Sequence, residues 1–279
     1  MSNVNARRAV KPSSVARPAP AVTEREPRGA RRRRETRSRL LVAALELMSQ
    51  RGMEGVAINE ITEAADVGFG SFYNHFESKE AIYAAVLDWV FADFADAMEK
   101  GVGAISDPAE IIAVSTRYTM MRALREPVWG QFLVREGFSA RSVDNGLGRR
   151  LLRDIRNGIA AKRLSVPDPL LTFVSVGGTI LGAISVGLQL ASSQQPQSSI
   201  LKELGSNLEG LPERAAAKVL EALGLGRAEA QKIANRPLPA PELAPAADGS
   251  GAGLAATKNG SVQPATRRKR RASPRAVTG

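Results

Sequence analysis

Residues 58–80, INEITEAADVGFGSFYNHFESKE, constrain the fold more than any other stretch of this chain. Their pattern predicts a short helix, a tight turn and a second short helix. Asp66 suits the left-handed conformation of such a turn because its side chain can hydrogen-bond locally, and Val67 can fill the corner between the helices. Two helices this short must bury their inner faces against another element, so a compact helical unit is expected here.

The second helix of this pair has a buried side and a polar side. Phe72 and Phe76 are four residues apart and predict a stripe that faces the core. Phe69 continues the same series, so both core packing and a surface role remain open for it. The other positions carry hydroxyl, amide, phenol and imidazole groups, which suit phosphates and base edges: Ser71, Tyr73, Asn74 and His75. A helix this short can enter a major groove, although a structural hydrogen bond would also explain His75.

Three flanking residues support a surface that approaches a polyanion. Gly68 and Gly70 let the second helix begin close to another surface. Lys79 falls in the first turn of the next helix, where a cation and free backbone N–H groups both attract a phosphate. A solvated surface charge is the alternative interpretation of Lys79.

The rest of the chain predicts further helices, because no sustained two-residue periodicity or regular hairpin turn occurs. Ser78 and Asp107 are good N-caps, and Pro108 suits the first turn of a helix. The predicted helices cover residues 37–51, 59–65, 69–76, 79–100, 108–125, 128–138, 147–163, 169–191, 212–223 and 227–235. The predicted fold class is all-α, with an N-terminal three-helix helix-turn-helix DNA-binding domain followed by a C-terminal helical bundle.

The positive charge of the chain lies at its two ends. The chain has 279 residues and a formal net charge of +11. Residues 1–34 carry ten bases and two acids, and residues 236–279 carry eight bases and two acids. Both ends are poor in large apolar residues, so they are predicted to be disordered basic tails. Such tails either attract a polyanion such as DNA or only increase solubility. Between them, residues 35–80 form the predicted DNA-binding domain and residues 81–235 the predicted C-terminal bundle.

The predicted DNA-binding region is itself acidic. Residues 35–100 contain five bases and twelve acids, so this part gains little from long-range attraction to phosphates. The run Arg31–Arg34 directly precedes the first predicted helix. We hypothesise that it supplies the missing charge by lying along the minor groove, as basic arms do.

Composition excludes several function classes. The chain has no Cys and a single His, which excludes a disulfide framework, a thiolate metal site, a cysteine nucleophile and a multi-histidine metal site. No phosphate-cradling loop, nucleophile elbow or His-Glu-x-x-His sequence is present. We therefore expect a protein that is not an enzyme and has no cofactor or metal. The first 30 residues contain no apolar signal-peptide core, so a cytoplasmic location is expected.

Residues 37–90 resemble the DNA-binding domain of the TetR family of transcriptional regulators. RLLVAALELM at 39–48, followed by Gly52, resembles the first helix of that family. GSFYNHF at 70–76, followed by SKE at 78–80, resembles its recognition helix and the start of its fourth helix. The resemblance implies a homodimer that binds a palindromic double-stranded DNA operator, with residues 81–235 as its effector-binding and dimerisation domain. It implies base-reading positions at Asn59, Phe69 and Gly70 and phosphate contacts at Ser71, Tyr73, His75 and Lys79, and Tyr73 is also placed to touch a base.

The sequence departs from the family pattern at three places. Asp66 stands where the family usually has Gly in the turn, and Gly68 stands where it usually has Ser or Thr as the recognition-helix cap. Ala57 and Ile58 occupy the region where a phosphate-binding Thr is common.

Aromatic and thioether side chains are concentrated in two successive predicted helices of the second half. They are interpreted either as core or as the lining of an apolar cavity for a small-molecule effector. The predicted effector-binding residues are Tyr118, Met121, Trp129, Phe132 and Phe138. Four arginines lie nearby and are expected on the solvated surface, unless one of them pairs with an effector carboxylate: Arg117, Arg122, Arg125 and Arg135.

Residues 169–201 carry no charge. A helix over 170–191 is long enough to span a bilayer, and Gly178-x-x-x-Gly182 would suit packing there. The same small residues allow close packing in a soluble bundle. We assign this helix and the one at 212–223 to the four-helix dimer interface that the TetR resemblance implies, and expect no membrane partner.

The predicted function is a sequence-specific regulator, expected to act as a repressor, whose dimer leaves its operator when a small apolar effector binds. The helix that begins at Lys79 joins the two domains and is the expected lever. The alternative is a non-specific nucleic-acid-binding or membrane-associated protein driven by its basic tails.

Overall fold

The computed structural model describes residues 28–144, 146–192, 203 and 207–239. Within these ranges the chain forms eleven longer α-helical segments and no strand, so the all-α fold class is confirmed. They are α1 (Arg28–Arg51), α2 (Ile58–Ala64), α3 (Phe69–Phe72), α4 (Lys79–Val102), α5 (Pro108–Arg125), α6 (Pro127–Glu136), α7 (Ala140–Asp144), α8 (Gly146–Ala160), α9 (Pro169–Ser192), α10 (Leu211–Ala222) and α11 (Arg227–Ala234).

Local signals set several helix boundaries. The hydroxyl of Ser78 accepts a hydrogen bond from the backbone N–H of Ala81, and the carboxylate of Asp107 accepts one from that of Ala109. Both caps satisfy N–H groups that have no partner inside the helix. The same mechanism explains α7, which the sequence analysis did not predict, because the hydroxyl of Ser139 accepts from the N–H of Ser142. At the other end of α8, Lys162 adopts a left-handed φ of 54°.

The first helix is longer than predicted. It begins at Arg28 rather than Arg37, so a disordered tail over residues 1–34 is wrong for residues 28–34, while residues 1–27 lie outside the described part of the chain. Alanine and arginine favour helix. Within the extension, Arg31 Nε lies 2.7 Å from Glu35 Oε1, one turn along the same face.

The helix-turn-helix unit packs in the first of two apolar cores. Side chains of α1, α2 and α3 meet there and exclude solvent, among them Leu40, Leu45, Met48, Ile61, Phe72 and Phe76. The same core continues along α4 through Ile82, Val86 and Phe94 and reaches Trp129 and Phe132 on α6. The helix-turn-helix unit and the C-terminal bundle therefore share one continuous core along α4.

The second core joins α5, α8, α9, α10 and α11, with Ile112, Ile155, Val176 and Leu220 at its centre. It also orders the segment after α11. Arg117 is 8% exposed, and its guanidinium donates to the Glu213 carboxylate at 2.8 Å and to the Arg236 carbonyl at 2.7 Å. A buried guanidinium requires such partners. A disordered tail from residue 236 is therefore wrong for residues 236–239, and residues 240–279 lie outside the described residues.

One face of α9 is apolar and uncovered within a single chain. Leu170, Leu171 and Val174 are 71%, 61% and 46% exposed, and Gly178 and Gly182 continue the face with open space around them. Among the described residues, α9 is the one helix long and apolar enough to cross a membrane by length and composition.

Candidate functional site

The turn between α2 and α3 has the predicted geometry. Asp66 adopts a left-handed φ of 51°, and its carbonyl accepts a hydrogen bond from Arg39 at 3.2 Å. The N–H of Val67 donates to the Thr62 carbonyl at 2.9 Å, and the Val67 side chain packs on the first core. Gly68 caps α3 without a side-chain bond, so the departure from a Ser or Thr cap costs only a few tenths of a kcal/mol.

The recognition helix presents an exposed aromatic pair. Only Phe69–Phe72 is regular helix, and turns carry the chain on to Phe76. Phe72 is fully buried and Phe76 nearly so, as predicted. Phe69 is 53% exposed and Tyr73 is 51% exposed, and their rings meet edge to face with centroids 5.7 Å apart. The core interpretation of Phe69 is therefore wrong.

The other recognition-helix positions surround this pair. Gly70 is exposed, and a Cβ there would meet nothing within 4 Å. Ser71 and His75 are half-buried. Burial and the positive charges of Arg33 and Arg37 lower the pKa of His75 below its ordinary value of 6.5, so its imidazole is neutral at pH 7. A neutral imidazole can still donate one hydrogen bond to a phosphate.

The two outlying positions flank the recognition helix in the chain. Asn59 is exposed on α2. Lys79 opens α4, with its ammonium 3.8 Å from the Glu54 carboxylate and its side chain 22% exposed. The Glu54 side chain is 87% exposed, so this ion pair contributes little, and a phosphate can replace Glu54 as the partner of Lys79.

The predicted effector residues do not share one cavity. Trp129 and Phe132 are 1% and 0% exposed and belong to the first core, where the Trp129 indole N–H donates to the Val90 carbonyl at 3.1 Å. Tyr118 donates its hydroxyl proton to the Pro239 carbonyl at 2.7 Å, and Met121 is 45% exposed. Of the five, only Phe138 lies in the wall of the cavity described next.

That cavity has a volume of about 110 Å³ and lies between α4, α5, α6, α8 and α9. Its apolar wall includes the rings of Phe138 and Phe173, which meet edge to face at 6.3 Å, together with Leu133 and Leu181. Its polar groups come mainly from α4, α5 and α8: Glu99, Ser115, Thr116, Thr119, Arg150, Arg153 and Asp154. The cavity wall thus combines aromatic rings with hydroxyl and charged groups.

Asp154 is a cavity residue whose acidity is altered by burial. Burial raises the pKa of its carboxyl above the ordinary value of 3.8, although Arg153 at 3.1 Å opposes the rise. The guanidinium of Arg153 also bonds Glu99 at 2.9 Å, and Arg150 pairs with Asp96 and Glu99. This cluster was not predicted from the sequence. The charged stripe in RRLLRDIRN at 149–157 was the available signal.

The four arginines near the predicted effector residues do not contact the cavity. Arg117 is buried and Arg122 lies over the rings of Phe94 and Trp129 at 4.9 and 4.8 Å. Arg135 donates to backbone carbonyls at the end of α1. The expectation of solvated surface is therefore wrong for Arg117 and Arg122, while Arg125 and Arg135 are exposed as expected.

Two family models match separate parts of this chain. Residues 40–86 match the family model described as bacterial regulatory proteins, tetR family, and residues 107–236 match the model described as tetracyclin repressor-like, C-terminal domain. The HTH-type transcriptional repressor DhaR of Mycobacterium sp. (strain GP1) is 34% identical over 107 residues, which cover 38% of this chain and 52% of DhaR. NemR of Escherichia coli (strain K12), another HTH-type transcriptional repressor, is 40% identical over 60 residues, covering 22% of this chain and 30% of NemR.

The alignments thus span about half of DhaR and less of NemR. A solved structure is matched over nearly its whole length. RolR in complex with the ligand resorcinol is 32% identical, with a TM-score of 0.53, and the alignment covers 75% of this chain and 98% of RolR. These matches, together with the all-helical fold and the exposed recognition helix, show that the chain belongs to the TetR family of transcriptional regulators.

Proposed function

We propose that this protein is a cytoplasmic repressor whose homodimer binds a palindromic operator and releases it when a small aromatic molecule fills the cavity beside Phe138. The exposure of Phe69 and Tyr73 carries the DNA-binding part of this proposal. These two aromatic side chains are half-exposed, whereas Phe72 and Phe76 in the same segment are buried. Such exposure of large apolar groups indicates a contact surface.

The polar and apolar groups around this pair have distinct roles. Phe69 has no hydrogen-bonding group, so it reads a thymine methyl or the shape of the groove. Gly70 lets the backbone approach the bases, and Asn59 on α2 is the third base-reading position. Tyr73, Ser71, His75 and Lys79 donate to phosphates, which position the helix without reading sequence.

The proposed effector site is the cavity lined by Phe138, because the other predicted effector residues do not line it. An apolar protein cavity of about 150 Å³ holds a benzene molecule, so a cavity of about 110 Å³ accepts one substituted ring after a modest expansion. The ring would pack against Phe138 and Phe173. Its polar substituents would reach the hydroxyl of Thr119 and the carboxylate of Asp154.

The similarity to RolR supports this ligand class. RolR was solved with resorcinol, a benzene ring with two hydroxyl groups, and is 32% identical to this chain. We therefore propose a small phenol as the effector and resorcinol as the first compound to test.

A second copy of the chain would cover the apolar face of α9. Leu171, Val174, Gly178 and Gly182 form this face, and α10 lies beside it. In the resulting dimer, the two recognition helices would face successive major grooves, about 34–36 Å apart. An effector that prefers another spacing of these helices shifts the dimer away from the operator by linkage.

The test begins with selection of operators from random duplex DNA with the purified full chain. We expect a palindromic consensus, and we expect resorcinol to release the selected operator, as measured by fluorescence anisotropy. An aliphatic diol of similar size is the matched control and should have no effect. Binding without sequence preference would contradict the regulator, and an equal effect of the two diols would contradict the aromatic effector.

A further inference from the structure

The first seven residues of α1 form a concentrated positive surface. Arg28, Arg31, Arg32, Arg33 and Arg34 lie within residues 28–34, called here the basic extension. All seven residues of this extension are exposed. The extension precedes the part of the chain that matches the TetR DNA-binding model, which begins at residue 40.

Three contacts hold α1 beside the helix-turn-helix unit. Arg33 Nη2 donates to the Asn74 carbonyl at 3.1 Å, at the end of the recognition-helix segment. The Arg37 guanidinium lies 4.9 Å from the centre of the Phe76 ring. Further along, Arg39 reaches the turn at Asp66. The basic extension is therefore placed at the carboxyl end of the segment that carries Tyr73 and His75.

The helical form of the extension decides which part of DNA it can reach. An α-helix with its side chains is about 10–12 Å across, whereas the minor groove is about 6 Å wide. The helix of the basic extension is therefore too wide to lie inside the minor groove, and contact with backbone phosphates is the alternative to the hypothesis that Arg31–Arg34 lie along that groove. A major groove that holds the recognition helix is bordered by phosphates, and those phosphates lie beside the ends of that helix.

Charge complementarity favours the same contact. Residues 35–100 carry five bases and twelve acids, so they repel DNA at long range. The five arginines of the basic extension supply the positive charge next to the recognition surface. Guanidinium groups also match phosphate oxygens by forming two parallel hydrogen bonds.

We propose that the basic extension is a helical phosphate-binding element that contacts the DNA backbone flanking each half-site. It adds affinity and little sequence information, because phosphates are the same at every position. This inference rests on the proposed function, since it requires the recognition helix to lie in a major groove.

The test compares the salt dependence of DNA binding for the full chain and for the double variant Arg28→Gln/Arg32→Gln. Each phosphate contact contributes about 0.9 to the slope of log affinity against log salt. The double variant removes four guanidinium groups from a dimer, so the slope should fall by up to about 3.6. Affinity should fall by the same factor for the selected operator and for random duplex DNA. The matched control is Arg227→Gln/Lys232→Gln, which removes the same charge from exposed positions of α11 and should leave the slope unchanged.

An unchanged slope in Arg28→Gln/Arg32→Gln, with the thermal midpoint retained, would overturn the proposal. So would a changed base preference next to the half-sites, which indicates minor-groove reading instead. The failure of the proposed function is separate, because it would show as equal affinity of the wild type for selected and random DNA. The slopes on random DNA then still test the basic extension.

Discussion

Arg135 Nη2 donates a 2.8 Å hydrogen bond to the backbone carbonyl of Gln50, which joins α6 to the carboxyl end of α1. Arg135 Nε also donates to the Ser49 carbonyl at 3.3 Å. A cation at a helix carboxyl end satisfies carbonyls that have no partner in the helix and interacts favourably with its dipole. Leu133 and Phe138, which lie on either side of Arg135 in the chain, line the cavity. α6 therefore contacts both the DNA-binding unit and the proposed effector site.

A second contact links α6 to the expected lever, α4. The hydroxyl of Tyr83 donates to the Glu136 carboxylate, and burial with this bond raises the pKa of Tyr83 to about 12. Tyr83 therefore stays protonated and keeps donating throughout the neutral range.

Replacing Arg135 should weaken the coupling between the two sites. In Arg135→Ala we expect resorcinol and the operator each to bind with nearly wild-type affinity when measured alone. The factor by which resorcinol weakens operator binding should fall by about fivefold, because typical coupling free energies begin near 1 kcal/mol. Titrating operator affinity at several resorcinol concentrations measures this factor. Arg125→Ala, which removes an exposed arginine of α5, is the control, and an unaltered factor in Arg135→Ala would exclude this route.

Removing the hydroxyl of Tyr73 should weaken DNA binding without altering sequence preference. Tyr73→Phe loses one phosphate hydrogen bond per subunit, about 1 kcal/mol each, so a dimer should bind roughly 30-fold more weakly. Phe69→Ala is the contrasting variant and should change the preferred base at one position of each half-site. Competition binding against a set of single-base operator variants distinguishes the two effects. A shifted base preference in Tyr73→Phe would assign that residue to base reading.

Filling the space at Gly177 should close the effector site. A Cβ at this position would lie 2.8 Å from the Phe138 ring, and both residues line the cavity. The Phe138 ring must shift to make room for the methyl group, and this changes the aromatic wall against which resorcinol would pack. Gly177→Ala should therefore weaken resorcinol binding by about tenfold, about 1.4 kcal/mol, and leave operator binding intact. Calorimetry measures the first and anisotropy the second. Gly226→Ala, where a Cβ meets nothing within 4 Å, controls for the added methyl group, and wild-type resorcinol affinity in Gly177→Ala would place the effector elsewhere.

Neutralising Asp154 should stabilise the protein at neutral pH. The pKa of Asp154 is raised in the folded state, so folding disfavours its charged form, and this cost is present above the ordinary value of 3.8. Asp154→Asn should therefore unfold at a higher denaturant concentration than the wild type at pH 7. The difference should shrink as the pH falls towards 4, because the wild-type carboxyl becomes protonated. Denaturation at both pH values measures the effect, and a variant less stable than the wild type at pH 7 would contradict it.

A charge on the apolar face of α9 should prevent dimerisation. Val174 is 46% exposed in a single chain, and an aspartate buried there against a second copy would have no partner. Val174→Asp should sediment as a folded monomer and lose most of its operator affinity. Ala228→Asp adds the same charge to an exposed position of α11 and should remain dimeric. A dimeric Val174→Asp would require a different interface.

Local sequence was enough to predict the helix-turn-helix unit. The left-handed turn at Asp66, the caps at Ser78 and Asp107 and the buried pair Phe72 and Phe76 each depend on residues a few positions apart. For this reason each predicted helix is found in its expected order, with α7 as an addition, although the DNA-binding roles of the exposed residues stay predictions.

Sequence alone determined the all-α class, the recognition helix and its exposed polar side, because short-range hydrogen bonding and helical periodicity encode them. The tertiary structure decided that Phe69 is exposed while Trp129 and Phe132 are core, and that Phe138 shares a cavity with Asp154. It also decided that Arg33 reaches Asn74 and that Arg135 reaches Gln50, which lies 85 positions away. Such contacts depend on which helices pack together in space, and no pattern within one helix specifies that.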